Sequence, residues 1–218
     1  MLTLIQVSLK LNFNVCSELG PPNGAVNEYL PARSGIVPFG GVKIFAANGH
    51  RRRVCCSGRG HSALNITILT VGRIREKPIA GLCEEYAGRI RKYGHRVSIV
   101  EIKDEPGGGQ PARILAGEAE RLRSRIPRSA YSIALDVSGE TFSSTALAQK
   151  LGEMMMQGCN EVVFLIGGPL GLDRDLVGCC RRVFSLSSLT FTHEMTRLIL
   201  LEQLYRANTI LRGEPYHK

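Results

Sequence analysis

Apolar residues follow two different spacings along the chain from residue 65 onwards. Short runs rich in β-branched residues, bounded by turn residues, predict strands. These runs cover residues 65–71, 97–102, 131–135 and 162–166. Between the runs, apolar residues recur every three or four positions, which predicts amphipathic helices with one face towards a core. The first predicted helix starts near Pro78, the second carries apolar residues from 115 to 126, and the third starts with Ser144 as its N-cap.

The order of these elements predicts the class of fold. Strands and helices alternate, and the run at 162–166 is apolar at every position. A strand with no polar face is typical of the centre of a parallel sheet that helices cover on both sides. The chain is therefore predicted to form an α/β layer with a mainly parallel sheet. Asp136 and the turn residues Ser138 and Gly139 are expected to end the third strand.

The first 64 residues show neither spacing. They contain two acidic residues, Glu18 and Glu28, against seven Lys and Arg residues, and Gly and Pro recur among them. A basic, acid-poor leader of this kind resembles an organelle transit peptide. We predict a disordered leader at 1–64 and a folded domain at 65–218. A transit peptide implies a chloroplast or mitochondrial location; the alternatives are a misassigned start codon or a disordered tail, with the protein in the cytoplasm.

Net charge alone does not identify a partner. The chain carries +9 from 28 Lys and Arg against 19 Asp and Glu, but the predicted domain holds only 21 basic and 17 acidic residues. A basic surplus occurs in nucleic-acid binders and in proteins that are basic only for solubility. No apolar stretch reaches the roughly 18–20 residues that cross a bilayer, so no membrane association is expected. The seven cysteines form no C-x-x-C pair, and we expect reduced thiols and no bound metal.

A glycine-rich turn follows the fourth predicted strand. Gly167 and Gly168 come directly after residues 162–166, and ligands of open α/β sheets bind beyond the carboxyl ends of strands. Glycine lets a ligand approach the backbone closely because it has no Cβ. Dinucleotide-binding folds place their glycine motif after the first strand, where the residues at 71–73 (VGR) provide none. A Rossmann oxidoreductase is therefore disfavoured, and a ligand loop late in the chain is predicted.

Six short motifs occur in one order over the predicted domain. They are LTVG at 69–72, ALD at 134–136, LIGGPLG at 165–171, SLSSLTFTH at 185–193, EQLYRA at 202–207 and PYH at 215–217. This series resembles the ribosomal RNA large subunit methyltransferase H family, whose members are SPOUT enzymes that methylate N3 of a pseudouridine. The resemblance covers about residues 66–218, which is nearly the whole predicted domain.

The resemblance implies a trefoil knot in the C-terminal half, a homodimer, and S-adenosylmethionine as the methyl donor. Leu135 would line the donor pocket, and Gly167 would leave backbone room for the donor. A valine at Gly167 is therefore expected to block the donor while the protein stays folded. The residues that would wrap the adenine are Leu186, Ser187, Ser188, Leu189, Thr190 and Phe191.

The same resemblance implies catalytic residues near the C-terminus: Arg206, Tyr216 and His217. N3 of pseudouridine is a poor nucleophile until its proton leaves, and a histidine is a suitable base near neutral pH. Arg206 would hold an RNA phosphate, and Tyr216 would stack on or position the base. The alternatives are a solvated His217 and an ordinary helix pair between Glu202 and Arg206. Familiar members carry Arg after this motif; Lys218 stands there in this chain and lacks bidentate phosphate geometry.

Two functions fit these expectations. The first is a methyltransferase that acts on large-subunit ribosomal RNA, within the subunit or the assembled ribosome. The alternative is a non-catalytic, RNA-binding ribosome-assembly factor on the same fold, which would bind RNA but not the donor. The intact glycine turn at 167–168 and the loop at 186–191 favour the methyltransferase.

Overall fold

The computed structural model describes residues 63–105 and 109–217. The predicted leader up to residue 62, and Lys218, lie outside the described residues. Strands and helices alternate throughout the described ranges. The elements are β1 (Asn65–Val71), α1 (Lys77–Arg91), β2 (Arg96–Ile102), α2 (Pro111–Arg123), β3 (Tyr131–Thr141), α3 (Ser144–Met156), β4 (Glu161–Ile166), α4 (Arg174–Cys179), β5 (Arg182–Ser185) and α5 (His193–Leu211). None of these helices is long and apolar enough to cross a membrane.

The strands form one parallel sheet in the order β2-β1-β4-β3-β5. The predicted α/β class is confirmed, and residues 162–166 of β4 are buried at the centre of the sheet. Because all strands point the same way, their carboxyl ends meet on one side of the sheet. We call this side the C-terminal edge and the opposite side the N-terminal edge.

Helices cover both faces of the sheet, and each strand contributes alternate side chains to the two cores. Ile66 and Ile68 of β1 lie in one core with residues of α1, α3 and α5. Leu69 and Val71 lie in the other core with residues of α2 and α4. This division follows from the two-residue repeat of a strand. α5 packs against both α1 and α3, so its position depends on most of the first core.

The folded domain includes a residue that the sequence analysis assigns to the leader. Leu64 is fully buried, and its backbone N–H donates to Nδ1 of His95. Nε2 of the same ring lies 2.7 Å from Oδ1 of Asn208 in α5. Because Nδ1 accepts a hydrogen bond, Nε2 carries the proton of a neutral ring. The predicted boundary after Leu64 therefore falls inside the core.

The third strand continues beyond its predicted end. β3 runs on past Leu135, with a register irregularity before Glu140, and both of these residues pair with Phe184 of β5. Asp136 does form a local turn, because its Oδ1 accepts hydrogen bonds from the backbone and the hydroxyl of Ser138. The turn interrupts the register without ending the strand, so the predicted end at Asp136 is corrected.

The N-cap of α3 is Ser143 and not Ser144. Oγ of Ser143 accepts a hydrogen bond from the backbone N–H of Ala146 at 3.1 Å. Ser144 is the first helical residue, and its hydroxyl donates to Oε1 of Gln203 in α5 at 2.7 Å. Ser143 thus caps the helix, and Ser144 joins α3 to α5.

Candidate active site

Three predicted donor-binding elements meet at the C-terminal edge. β4, β3 and β5 are neighbours in the sheet, with Ala134 of β3 paired to Leu165 of β4. Leu135 in β3, the turn at Gly167 after β4 and the loop at 186–191 after β5 therefore lie side by side. We call the loop at 186–191 the donor loop. The topology brings together the segments that the sequence analysis assigns to the methyl donor.

The turn after β4 has no space for a side chain at Gly167. A Cβ there would lie 2.3 Å from the carbonyl oxygen of Gly171 and 2.8 Å from the backbone nitrogen of Leu172. The turn is tight because Gly168 and Gly171 form a β-bridge. Glycine is therefore required by the turn's own backbone. The expectation that a valine at Gly167 blocks the donor without disturbing the fold is wrong, because valine would displace the turn itself.

Serine side chains hold the donor loop, which is partly exposed. The hydroxyl of Ser185 donates to the carbonyl of Ser187 at 2.9 Å, and Oγ of Ser187 accepts from the N–H of Leu189 at 3.0 Å. Leu189 is 67% exposed, although it is a large apolar residue. The loop therefore presents an apolar side chain on a backbone that local hydrogen bonds keep in shape, as a site for a planar ring requires.

A cavity of about 220 Å³ lies beside the donor loop. The side chains around it come from the end of β3, from α3, β5 and α5, and from the donor loop. They include Phe142, Leu147, Phe184, Leu186, Leu200 and Gln203. Sites for drug-sized ligands usually measure about 300–1,000 Å³, so this cavity suits one part of a nucleoside-based donor. A larger cavity of about 350 Å³ lies between α1, β2 and α5 and is lined by none of the predicted donor residues.

His193 belongs to this region, although the sequence analysis gives it no role. It is the first residue of α5, and its Nε2 is buried without a hydrogen-bond partner among the described residues. The ring lies against the end of β1, because a Cβ on Gly72 would be 3.2 Å from Nε2. Buried polar atoms are nearly always paired, so this one is suited to a ligand. The place of His193 at the end of the SLSSLTFTH motif is the sequence feature that could have indicated this role.

The predicted catalytic residues Arg206 and Tyr216 contact each other. The Arg206 guanidinium lies 4.8 Å from the centre of the Tyr216 ring, and both side chains donate hydrogen bonds to Oε1 of Glu202. The hydrogen bond with Tyr86, followed by burial, raises the pKa of Tyr216 well above its ordinary value. Tyr216 is therefore neutral at physiological pH. The helix pair between Glu202 and Arg206 is present, and sequence reasoning missed the role of Glu202 in joining it to the tail.

His217 is exposed, and no hydrogen bond to it is found within residues 63–105 and 109–217. The residue before it is anchored, because the rings of Tyr216 and Tyr205 pack edge to face with 4.8 Å between their centres. In a single chain His217 is thus a solvated side chain whose neighbouring residue, Tyr216, is held in place. The alternative of a solvated histidine describes the isolated chain correctly.

The donor loop and the C-terminal residues lie on different parts of one chain. α5 starts at the C-terminal edge, where His193 lies against Gly72. It reaches the N-terminal edge, where Asn208 contacts His95. Arg206 follows His193 by 13 residues of this helix, which corresponds to about 20 Å at 1.5 Å per residue. Arg206 is therefore remote from His193, although Gln203 of the same helix lines the cavity beside Leu186.

The match to a known protein family covers the same domain. Residues 64–217 match the family model described as "Predicted SPOUT methyltransferase". The chain belongs to the SPOUT methyltransferase family. The resemblance drawn from the six motifs is confirmed, and this SPOUT methyltransferase is an enzyme. The match starts at Leu64, which is the first buried residue of the part of the chain that the structure describes.

Proteins named "Ribosomal RNA large subunit methyltransferase H" are similar to this SPOUT methyltransferase over 160 residues. The protein of Moorella thermoacetica is 43% identical, and those of Halothermothrix orenii and Acetivibrio thermocellus are each 40% identical. Each match covers 71% of this chain, with 99% of the first relative and 100% of the other two. The whole or nearly whole length of each relative thus corresponds to part of this chain.

Proposed function

We propose that this SPOUT methyltransferase transfers a methyl group from S-adenosylmethionine to N3 of a pseudouridine in large-subunit ribosomal RNA. The observation that carries the proposal is the meeting of Leu135, Gly167 and the donor loop at one edge of the sheet. The names of the relatives support a ribosomal RNA substrate. The motif series that ends in Pro-Tyr-His supports N3 of pseudouridine as the target.

The residues at the C-terminal edge fit this donor. Bound S-adenosylmethionine supplies a sulfonium methyl group for an in-line displacement, which depends on alignment. Leu186 lines the adjacent cavity, and the exposed Leu189 offers an apolar surface for the adenine ring. Ser187 holds the loop between them, and the unpaired Nε2 of His193 provides a polar contact at its end. A trefoil knot in this half of the chain is part of the proposal.

The C-terminal residues act on the acceptor. His217 takes the proton from N3 of pseudouridine, for which its exposed position leaves it free. Arg206 holds an RNA phosphate, and Glu202 orients its guanidinium. Tyr216 positions the base with a neutral hydroxyl and fixes the backbone from which His217 projects.

A second copy of the chain completes the active site. Arg206 lies about 20 Å along α5 from His193, which stands two residues after the donor loop, and we infer that another chain supplies the acceptor residues there. In a twofold dimer, each C-terminal segment can serve the donor loop of the other copy. Val137 within β3 and Leu170 after β4 are 63% and 46% exposed, and they offer apolar contact area for the partner.

Methylation of ribosomes from cells that lack the gene tests the proposal. The full chain and the donor are added to these ribosomes, and digests of their RNA are analysed by mass spectrometry. We expect N3-methylpseudouridine with the wild type. His217→Ala should slow methyl transfer about 10²- to 10⁴-fold, the usual contribution of a positioned base. Its donor affinity in calorimetry should not change, because the proposed donor contacts come from Leu135, the turn at Gly167 and the donor loop and not from His217.

Three other outcomes would each contradict part of the proposal. Donor binding without N3-methylpseudouridine in the treated ribosomes would refute the target. Ribosome binding without donor binding would favour the assembly-factor alternative. A His217→Ala protein that methylates at the wild-type rate would remove this histidine from the mechanism and leave N3 to lose its proton to solvent.

A further inference from the structure

The connection between β1 and α1 exposes three basic side chains. We call residues 72–77 the β1–α1 loop. Arg73, Arg75 and Lys77 are all exposed, and none forms a salt bridge within the described part of the chain. Glu76 is the one acidic residue of the loop, which leaves a net charge of +2. The two arginines of α1 are both paired, since Arg89 and Arg91 contact Glu85 and Glu84.

Two carboxylates hold the backbone of this loop. Glu194, in the first turn of α5, accepts hydrogen bonds from the backbone N–H groups of Arg75 and Glu76 at 3.2 and 3.3 Å. Glu101, in β2, accepts from the N–H of Ile74 at 3.3 Å. Both carboxylates thus bind the backbone and leave the basic side-chain ends free. The loop is ordered by contacts that do not use its positive charges.

A buried arginine supports this arrangement from below. Arg197 of α5 is 1% exposed, and its guanidinium donates to Glu101 at 2.7 Å and to the carbonyl of Gly72 at 3.2 Å. Burial of an arginine costs several kcal/mol unless a partner compensates it. The partners of Arg197 are the carbonyl of Gly72, the first residue of the β1–α1 loop, and the carboxylate of Glu101, which binds the N–H of Ile74. The loop is therefore built to keep one conformation.

The loop borders the proposed donor site. Its first residue, Gly72, lies against His193, which stands two residues after the donor loop. β1 also pairs with β4, and a Cβ on Gly168 in the turn after β4 would lie 3.2 Å from Cγ1 of Val71. The free cations therefore stand at the C-terminal edge, where the proposed reaction takes place.

We propose that the β1–α1 loop is a phosphate clamp that holds the RNA backbone beside the donor site. Phosphate contacts fix the position and orientation of a nucleic acid without reading its sequence. Ordered backbone with free Lys and Arg ends suits this task, because little conformational freedom of the loop is lost on binding. The inference rests on the proposed function, and it assigns RNA contacts to residues outside the Arg206, Tyr216 and His217 group.

Two charge-matched triple variants of the full chain test the clamp. The first is Arg73→Ala/Arg75→Ala/Lys77→Ala. The control is Arg96→Ala/Arg125→Ala/Arg128→Ala, which removes the same charge from three exposed residues at the N-terminal edge. Melting temperature and donor affinity are measured first, and we expect both to match the wild type in both variants. Ribosome affinity and KM are then measured at several salt concentrations.

The loop variant should raise KM for ribosomes about 10-fold or more, while the control changes it less than about 3-fold. The slope of log affinity against log salt should fall by about 2–3 in the loop variant, because each lost phosphate contact contributes about 0.7–0.9. Replacement of Arg73 and Arg75 by Lys should retain most of the affinity. Equal effects of the two triple variants, or no effect of the first, would overturn the clamp. If the wild type binds ribosomes without methylating them, the proposed reaction fails, whereas the salt slopes still decide the clamp.

Discussion

At the scale of single residues, the turn after β4 allows a direct test of Gly167. A methyl group there would meet the carbonyl oxygen of Gly171 at 2.3 Å, so Gly167→Ala must shift the backbone. We expect a loss of about 1–3 kcal/mol in the free energy of unfolding, as for other overpacked sites, together with weaker donor binding. Denaturant titration and calorimetry measure the two effects. Gly178→Ala is the control, since a Cβ in that part of α4 meets nothing within 4 Å; equal stability of both variants would contradict the steric argument.

Glu118 in α2 gives a second prediction at this scale. It is 4% exposed and accepts a hydrogen bond from the N–H of Glu105. Burial, and next the charge of Asp104, raise the pKa of its carboxyl above the ordinary value of 4.5. The folded state therefore keeps the proton longer than the unfolded state, and stability is lost as pH rises through the raised pKa.

Glu118→Gln removes this ionisation and keeps an acceptor for the N–H of Glu105. The variant should melt higher than the wild type at pH 7, and the difference should shrink towards pH 4, where the wild-type carboxyl is protonated. Thermal melting at both pH values checks this. Glu120→Gln is the matched control, because Glu120 is largely exposed in the same helix. A Glu118→Gln protein that melts lower at pH 7 would show that the carboxylate itself is required.

At the scale of secondary-structure elements, the sequence predicts those with a sustained pattern. β1 has the predicted bounds of 65–71, and β4 starts one residue before the predicted run. α4 and β5 are not predicted, because six and four residues are too few to show a period. The end of β3 is misjudged for a different reason. Asp136 and Ser138 form a real local turn, but Gly139 lets the chain continue closely beside Phe184, where a Cβ would meet the backbone at 2.5 Å.

The candidate site divides in the same way. A glycine turn after a buried parallel strand predicts a ligand site near Gly167, and the structure shows that the turn itself also requires this glycine. Periodicity carries no information on the donor loop or on the C-terminal residues, which the family resemblance supplied. Neither periodicity nor the family resemblance predicted the contacts between residues that are distant in sequence. Glu202 links Arg206 to Tyr216, and Glu194 holds the β1–α1 loop across more than 100 residues of sequence. Such pairs are set by the fold and not by local pattern.

At the scale of the whole molecule, α5 connects the proposed donor side with the proposed acceptor residues. Its first five residues belong to the donor side through His193, Glu194 and Arg197. Its second half carries Arg206 and contacts the C-terminal residue Tyr216 through Glu202. A rigid helix cannot bring its own two ends together, which supports the proposal that a complete site requires two chains. This requirement turns the proposed dimer into a test by complementation.

Two inactive variants should therefore restore activity when they are combined. Leu189→Glu places a charge on the donor loop at a residue 67% exposed, so the variant should fold but lose the donor. His217→Ala should bind the donor but transfer its methyl group slowly. A heterodimer of the two contains one site with both defects and one with none, so it should show about half the wild-type activity per dimer. Co-expression with two different affinity tags isolates the heterodimer, and its methylation of ribosomes is measured beside that of each homodimer. An inactive heterodimer of correct size and fold would show that each active site is built within one chain, for which the C-terminal residues would have to leave α5.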